Sequence, residues 1–291
     1  MTKPAVVLPL LLAPVALALA VQARSSPPAT DAPLSAVALG RIDAHAHFFA
    51  EAKPVLDLFD RLNVTAVELR DAEGRYLLPD DAAFEPVFAG LARRGTTLYA
   101  HLAEPIAAWE PLDPKSPDYD YYKNAPAWHV HGRPGMPSKR EILEARDRLL
   151  AKHPTLKVVG CHLGSMEEDV DAIAQRLDRY PNFVVDTAAR VTHLTLQPRE
   201  KVRAFLVKYQ DRVLYGTDMG LMPGQDPEAT ARRLEAEYGR DWTYFATRQT
   251  IEVDGRKVEG LALPEPVLLR IFRENALRWV PGLATATHGR P

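Results

Sequence analysis

The run Asp43-Ala44-His45-Ala46-His47 places a polar side chain at every second position. On an extended strand that spacing sends Asp43, His45 and His47 to one face and the alanines to the other. Two imidazoles two residues apart on one face can grip a single cation. Three later apolar runs stop on residues of the same chemistry: Thr97–Leu102 carries His101, Leu156–Cys161 leads into His162, and Val213–Tyr215 leads through Gly216 and Thr217 to Asp218. Where parallel strands form a barrel, catalytic groups come from the C-terminal ends of different strands. Imidazoles and a carboxylate gathered in that way are ligands for a divalent metal, which lowers the pKa of water and polarises a carbonyl. Singly, each residue has a plainer reading. His101 or His162 alone would be a strand-end histidine bonded to backbone, and Asp218 alone would cap the following loop.

The elements that must position these groups alternate. Strand candidates are Ile42–Phe48, Val64–Leu69, Thr97–Leu102, Leu156–Cys161, Phe183–Asp186 and Val213–Tyr215. Between them, Pro54–Leu62, Asp81–Arg94, Lys139–His153, Val170–Tyr180 and Pro198–Tyr209 carry apolar residues at helical spacing. Such alternation predicts an α/β fold with parallel strands and right-handed crossovers, a (β/α)8 TIM-like barrel that is distorted or abbreviated. Residues 105–137 break the rhythm with seven prolines, Trp109, Trp128 and the cluster Tyr119-Asp120-Tyr121-Tyr122. A loop this long with so many aromatics reads as a packed lid, and Ala127–His131 within it is a candidate for one more strand. Gln249–Leu263 reads as a hairpin turning at Asp254-Gly255, followed by a helix over Pro264–Trp279.

Composition bounds the remaining choices. The 291 residues carry 36 basic and 38 acidic side chains, a net charge of −2 that argues against a nucleic-acid partner. One cysteine, Cys161, excludes an intrachain disulfide and a CxxC metal site, so a metal must be held by some of the nine histidines and carboxylates. Residues 1–23 combine Lys3, an uncharged run over Ala5–Ala20 and small residues at cleavage spacing, and read as a cleaved export signal. An uncleaved anchor is the minor reading, because Pro9 and Pro14 interrupt a run too short to span a bilayer. Residues 24–40 read as a disordered spacer, 41–281 as one barrel domain and 282–291 as a tail. The expected location is periplasmic or secreted, without a stable membrane anchor. The expected partner is a small-molecule substrate, and self-association into a homo-oligomer is compatible with the composition.

Taken together, Asp43–His47, His101–Pro105 (HLAEP), Cys161–Ser165 (CHLGS), Tyr215–Asp218 (YGTD) and Asn275-Ala276 make the chain, from Arg41 to Pro281, resemble the amidohydrolase superfamily. The branch it is most similar to is the amidohydrolase-related one, containing metal-dependent hydrolases and non-oxidative decarboxylases. The resemblance implies a distorted (β/α)8 barrel with one divalent metal, usually zinc. It matches His45, His47, His101 and Asp218 to the ligands, and His162 to the histidine that contacts substrate or moves protons. No strand ends in a lysine suited to carbamate bridging, so a binuclear site is not implied. Only 53 residues separate His47 from His101, which shortens the early barrel.

On that site Asp218 would be both a weak ligand and the base that takes a proton from water. His162 would stabilise a developing oxyanion or protonate the leaving group. Glu104 is a partner that orients His101, a substrate contact or a plain loop carboxylate. Asp186 ends its strand, and Arg190 either grips a substrate anion or is a solvated arginine on a helix turn. Trp109, Tyr121, Tyr122 and Trp128 wall the pocket or pack the insertion onto the rim. Ser165 reads as a helix cap before Glu167 and Glu168 rather than a nucleophile. The remaining histidines, including His129, His131 and His193, close no strand and receive no metal role. The expected activity is metal-dependent hydrolysis of an amide, ester or lactone by activated water. Non-oxidative decarboxylation is the alternative, and an exported non-catalytic binding protein the third reading.

Overall fold

In the computed structural model the described residues are 75–222 and 224–281, with Ala44 and the backbone of His47 and Phe48. The expected elements Val64–Leu69 and Pro54–Leu62, the export signal, the spacer and the tail lie outside them, as does His45.

Helices begin where a short polar side chain can take up the first unpaired N–H groups. Asp81 accepts from Ala83 N (2.8 Å) ahead of a 3-10 turn at Ala82–Phe84, which runs into α1, Glu85–Arg94, ended by left-handed Gly95 (φ 64°). Helix α2, Tyr119–Asn124, lies in the insertion. Ser138 and Glu141 form a reciprocal capping box for α3, Lys139–Lys152, whose inner face is Ile142, Ala145, Arg146, Leu149 and Leu150. Asp169 caps α4, Val170–Arg179; α5 is the short Val191–Leu194 and α6 is Arg199–Lys208. The sequence reading missed α7, Pro227–Ala246, although Asp226-Pro227-Glu228 is a helix-start signal and Asp226 does cap it. The chain closes with Glu265–Leu269, a π turn at Arg270–Glu274 and Asn275–Trp279.

Strands β2 (Leu98–Ala100), β3 (Val158–Gly160), β4 (Phe183–Asp186) and β5 (Val213–Leu214) form one parallel sheet in that order. β1 (His47–Phe48) pairs in parallel with β6 (Gly220–Leu221), and Ala44 N donates to Tyr215 O (2.9 Å), which carries the curve on past β5. Among the described residues the ring does not close, yet the class is the expected α/β one, helices covering parallel strands. Alternate residues sort to two cores: Val158, Phe183, Val185 and Val213 meet the helices, while Val159, Val184 and Leu214 meet Ala276, Trp279 and Val280. β7 (Thr250–Val253) and β8 (Arg256–Glu259) are the expected hairpin, with Asp254 (φ 49°) and Gly255 (φ 71°) both left-handed at its turn. Ala127–His131, by contrast, is turn and irregular chain, because Val130 is drawn into the insertion's own core.

Register decides where the chemistry emerges. Ala100 lies opposite Gly160 and Gly160 opposite Val185, so His101, Cys161-His162 and Asp186 leave the sheet at one edge. Cys161 itself is buried in the wall.

Tyr215, directly after β5, binds three neighbours. Its N–H reaches Ile271 O (2.9 Å), its carbonyl takes Ala44 N–H, and its hydroxyl donates to buried Asp241 of α7 (3.1 Å). Burial, reinforced by the charge of Glu237, pushes the Asp241 carboxyl up to about 7 despite Arg240 beside it. The folded chain therefore holds a proton that the unfolded chain has released above about pH 4. That contribution is fully present at acid pH and is lost as pH rises through about 7. Asp241→Asn keeps an acceptor for Tyr215 and removes the titration. Its urea-unfolding stability should fall less than the wild type's between pH 5 and 8, by on the order of 3 kcal/mol. Parallel pH profiles would contradict the assignment.

Candidate functional site

The site is built on an uncommon piece of backbone. After β3 the chain holds four consecutive residues in the left-handed region: His162 (φ 58°), Leu163 (57°), Gly164 (65°) and Ser165 (58°). Each non-glycine residue costs about 1–2 kcal/mol there, so the turn must be held by its surroundings. Asp186, fully buried, accepts from His162 N (2.8 Å) and Ala188 N (3.1 Å) through one oxygen. Arg146, 1% exposed, reaches out of α3 to Gly164 O (2.6 Å) and lays its guanidinium over the Phe183 ring. Ser165 Oγ takes the N–H of Ala103 (3.2 Å) and ties the turn to the loop after β2. Ser165 is thus a cross-link between loops, and the expected capping of the following residues does not occur. Gly160 is required for the same reason: a Cβ there would lie 2.6 Å from the Phe183 ring.

This turn aims the His162 side chain at His101. His162 Nδ1 lies 2.8 Å from Ala188 O, and its Nε2 lies 3.0 Å from His101 Nδ1. His101 Nε2 is in turn 3.1 Å from Glu104 Oε1, and Tyr122 OH donates to Glu104 Oε2 (3.1 Å). Proton placement along this row follows from the acceptors at its ends. A carbonyl accepts only, so His162 carries its proton on Nδ1 and offers a lone pair from Nε2. Burial first, then the charge of Arg190, pushes His162 down to about 4, so the ring is neutral at pH 7. Burial is the largest single effect on Glu104 and raises it, but the bonds from His101 and Tyr122 with the nearby positive charge together hold it below the usual carboxylate range, and it accepts from His101 Nε2–H. The lone pair of His162 Nε2 thus points at His101 Nδ1 across 3.0 Å, a spacing that suits two ring nitrogens directed at one cation.

Asp218 approaches the same point. Its backbone is left-handed (φ 62°) and its Oδ2 lies 4.0 Å from His162 Nε2. Nitrogens on one tetrahedral zinc stand about 3.3 Å apart, given bonds of about 2.0–2.1 Å. Among the described residues no three His, Cys, Asp or Glu groups close on one point; His162 Nε2 stands 3.0 Å from His101 Nδ1 and 4.0 Å from Asp218 Oδ2. Their donor chemistry fits a divalent ion. His47 enters only through its backbone in β1, which runs beside the segment after Asp218.

The other candidate residues are distributed as follows. Arg190 is 8% exposed at the start of α5, so the solvated reading does not hold. Trp109 and Trp128 pack against Ala108, Tyr122 and Val130, a small core belonging to the insertion, and Trp109 Nε1 donates to Pro137 O. Tyr122 therefore belongs to that core and to the site at once. Tyr121, half exposed, is pushed up to about 12 by burial and by the charge of Glu104. A second anchor holds the insertion: Glu167, 1% exposed, accepts from Lys139 Nζ (2.7 Å) and from Ile106 N (3.2 Å). Sequence reasoning missed Arg146 and Lys139. The signal for Arg146 was an arginine on the apolar i, i+3, i+4, i+7 stripe of α3.

Residues 53–282 match the amidohydrolase family, and the chain belongs to it. The match begins beyond Asp43–His47. Among solved structures, the chain is similar to an uncharacterised TIM-barrel protein from Bordetella bronchiseptica (18% identity, TM-score 0.37), covering 84% of this chain and 66% of that one. It is also similar to an amidohydrolase II structure (19%, TM-score 0.37; 80% of this chain, 68% of that one). A third is a zinc-bound amidohydrolase from Burkholderia multivorans (14%, TM-score 0.28; 80% and 79%). The chain thus spans about two thirds of the first two structures. No curated protein matches it.

Removing the Asp186 carboxylate strands two buried N–H groups at the strained turn, each worth about 1–3 kcal/mol. Asp186→Ala should lose about 2–5 kcal/mol in urea unfolding. A loss under about 1 kcal/mol would show that the turn holds itself.

Proposed function

We propose that the chain is a metal-dependent hydrolase that directs water at an amide, ester or lactone of a small molecule, exported to the periplasm or beyond. The observation that carries this reading is the approach of two ring nitrogens, His101 Nδ1 and His162 Nε2, to 3.0 Å, with Asp218 beside them. His45, His47, His101 and Asp218 would hold one divalent ion, zinc by family chemistry. When bound, such an ion lowers the pKa of water and polarises a carbonyl.

The chain's own groups then have separable tasks. Glu104, itself held by Tyr122 OH, fixes the His101 ring and strengthens Nδ1 as a donor of electrons. Asp218 takes the proton from the attacking water and returns it to the leaving group. His162, neutral above about pH 4 and committed through Nδ1–H to Ala188 O, has no proton on Nε2 to give. It would orient the water by accepting its hydrogen bond, a role proposed in place of oxyanion stabilisation or protonation of the leaving group. The insertion supplies Tyr122, so substrate enters beneath a lid that is part of the site.

Decarboxylation is the second reading, favoured by one observation, the buried guanidinium of Arg190, whose charge acts on His162. Zinc-loaded protein offered lactones, esters, amides and unsaturated or aromatic acids decides between them: hydrolysis is expected, and carbon dioxide release without water incorporation would replace it. Turnover of none of these by the loaded protein would favour the binding-protein reading.

Asp218→Asn should lower kcat by about 100- to 10,000-fold while substantial zinc stays bound, measured by metal analysis of the purified protein. Complete loss of zinc would make Asp218 mainly a ligand. A His45→Ala/His47→Ala variant that keeps its zinc would defeat the metal site as drawn.

A further inference from the structure

Asp118 stands at the start of α2, where an aspartate ordinarily takes up the first free N–H groups of its own helix. It makes no such bond. Its carboxylate turns instead to His193 of α5, whose Nε2 lies 3.2 Å from Asp118 Oδ2 across 75 residues of chain. His193 is 8% exposed. An imidazole that faces a carboxylate through Nε2 donates its N–H there. His193 Nδ1 is buried and has no hydrogen-bond partner among the described residues, so the bond of this ring is the one to Asp118. The ring has a firm mount, because Val191 and Leu194 of the same short helix belong to the main core.

The place of this bond on the insertion gives it a second consequence. Asp118 and Tyr122 are one helical turn apart, and Tyr122 N–H donates to Asp118 O (3.0 Å). Tyr122 OH donates to Glu104 Oε2, and Glu104 Oε1 meets His101 Nε2. Among the described residues, these two contacts, Asp118 to His193 and Tyr122 to Glu104, are the side-chain hydrogen bonds from this turn to residues outside the insertion. A further fastening lies at the insertion's base, where Glu167 takes Ile106 N–H and the Lys139 ammonium. The insertion also has its own core, with Trp109 and Trp128 packed about Ala108, Tyr122 and Val130. A self-packed body held at its base alone can tilt as a unit. Tyr122 OH already stands 3.1 Å from Glu104, and a tilt that moved it by about 0.5 Å would break the bond.

We propose that His193 is a positioning residue of the site: by holding Asp118 it stops that tilt, keeps the Tyr122 hydroxyl on Glu104, and so fixes the ring of His101. A carboxylate spent on capping would tie Asp118 to its own helix and leave α2 unattached to the barrel at that end. The distant bond sets the orientation of the whole helix, which a local cap cannot do. His193 touches neither metal nor substrate in this arrangement and acts through Asp118 and Tyr122. The inference rests on the reading of Glu104 and His101 as parts of a metal site, and one of its two measurements needs no metal.

Amide hydrogen exchange is followed first in full-length, metal-free protein, over Tyr119–Asn124 and, as a reference, over Lys139–Lys152. His193→Leu should speed exchange over Tyr119–Asn124 by about 10-fold or more and leave the reference helix within about 2-fold. His193→Gln, which offers an N–H at nearly the same place, should restore most of the protection. Asp118→Ala removes the same bond from the other side and should match His193→Leu; should His193→Leu not fold, Asp118→Ala replaces it in every comparison. Zinc affinity is then measured by competition with a chelator. His193→Leu and Tyr122→Phe should each weaken zinc by about 10-fold, the low end for a group supporting a metal ligand. The double variant should also lose about 10-fold, not about 100-fold, because both residues act along one line of contacts. Unchanged exchange over Tyr119–Asn124 would overturn the proposal, as would zinc affinity unmoved by either single variant or losses that multiply in the double one. So would exchange that rises equally in both helices, which marks a general loss of stability. If the wild-type chain binds no zinc, the metal reading fails, and the exchange pattern alone decides whether His193 holds α2.

Discussion

One oxygen of Asp186 holds the N–H groups of His162 and Ala188, and much of the site depends on that contact. Four successive left-handed residues are unfavourable to an L-amino-acid chain, and an unsupported loop would leave that conformation. The carboxylate is fully buried at the end of β4, so the turn is fastened to the sheet itself. Arg146 fastens the far side through Gly164 O, and Ser165 fastens the loop that carries His101 and Glu104. His162 and His101 therefore meet because two loops are tied at their bases, and the contact between their rings follows.

The same economy of contacts joins the insertion to the chemistry. Tyr122 lies in the insertion's own core with Ala108 and Val130, and its hydroxyl reaches Glu104, which holds His101. Glu167 sits two residues beyond the turn and accepts from Ile106 N at the insertion's start. A shift of the insertion would thus be felt at the imidazoles through one hydroxyl and one carboxylate. Packing the insertion's aromatics and holding the His101 ring through Glu104 are two ends of one arrangement.

Much of this framework could be read from residue order. Phe183–Asp186 is a strand with the bounds expected, and α3, α4 and α6 fall within a residue of theirs, because apolar spacing and caps such as Ser138 and Asp169 act locally. The hairpin at Asp254-Gly255 was legible for the same reason. Helix α7 was passed over despite its Asp226-Pro227 start, since its long polar face dilutes the apolar period. Strands β2 and β3 are shorter than their apolar runs: their ends are set by where the chain must turn, and nothing local marks that point.

The sequence by itself determined the chemical types at the strand ends, His101, His162 and Asp218, and the alternation that brings them to one edge. Those follow from period and side-chain chemistry, which are properties of short stretches. Only the tertiary structure decided that Asp186 serves the backbone, that Ser165 links loops and that His162 is neutral with its lone pair toward His101. It also decided that Arg190 is buried without an ionic partner among the described residues while Arg146, of identical side chain, pairs with Asp147. Burial and pairing depend on what distant segments deliver to a point. Charge, proton location and solvent access are set there, between residues that the chain holds far apart.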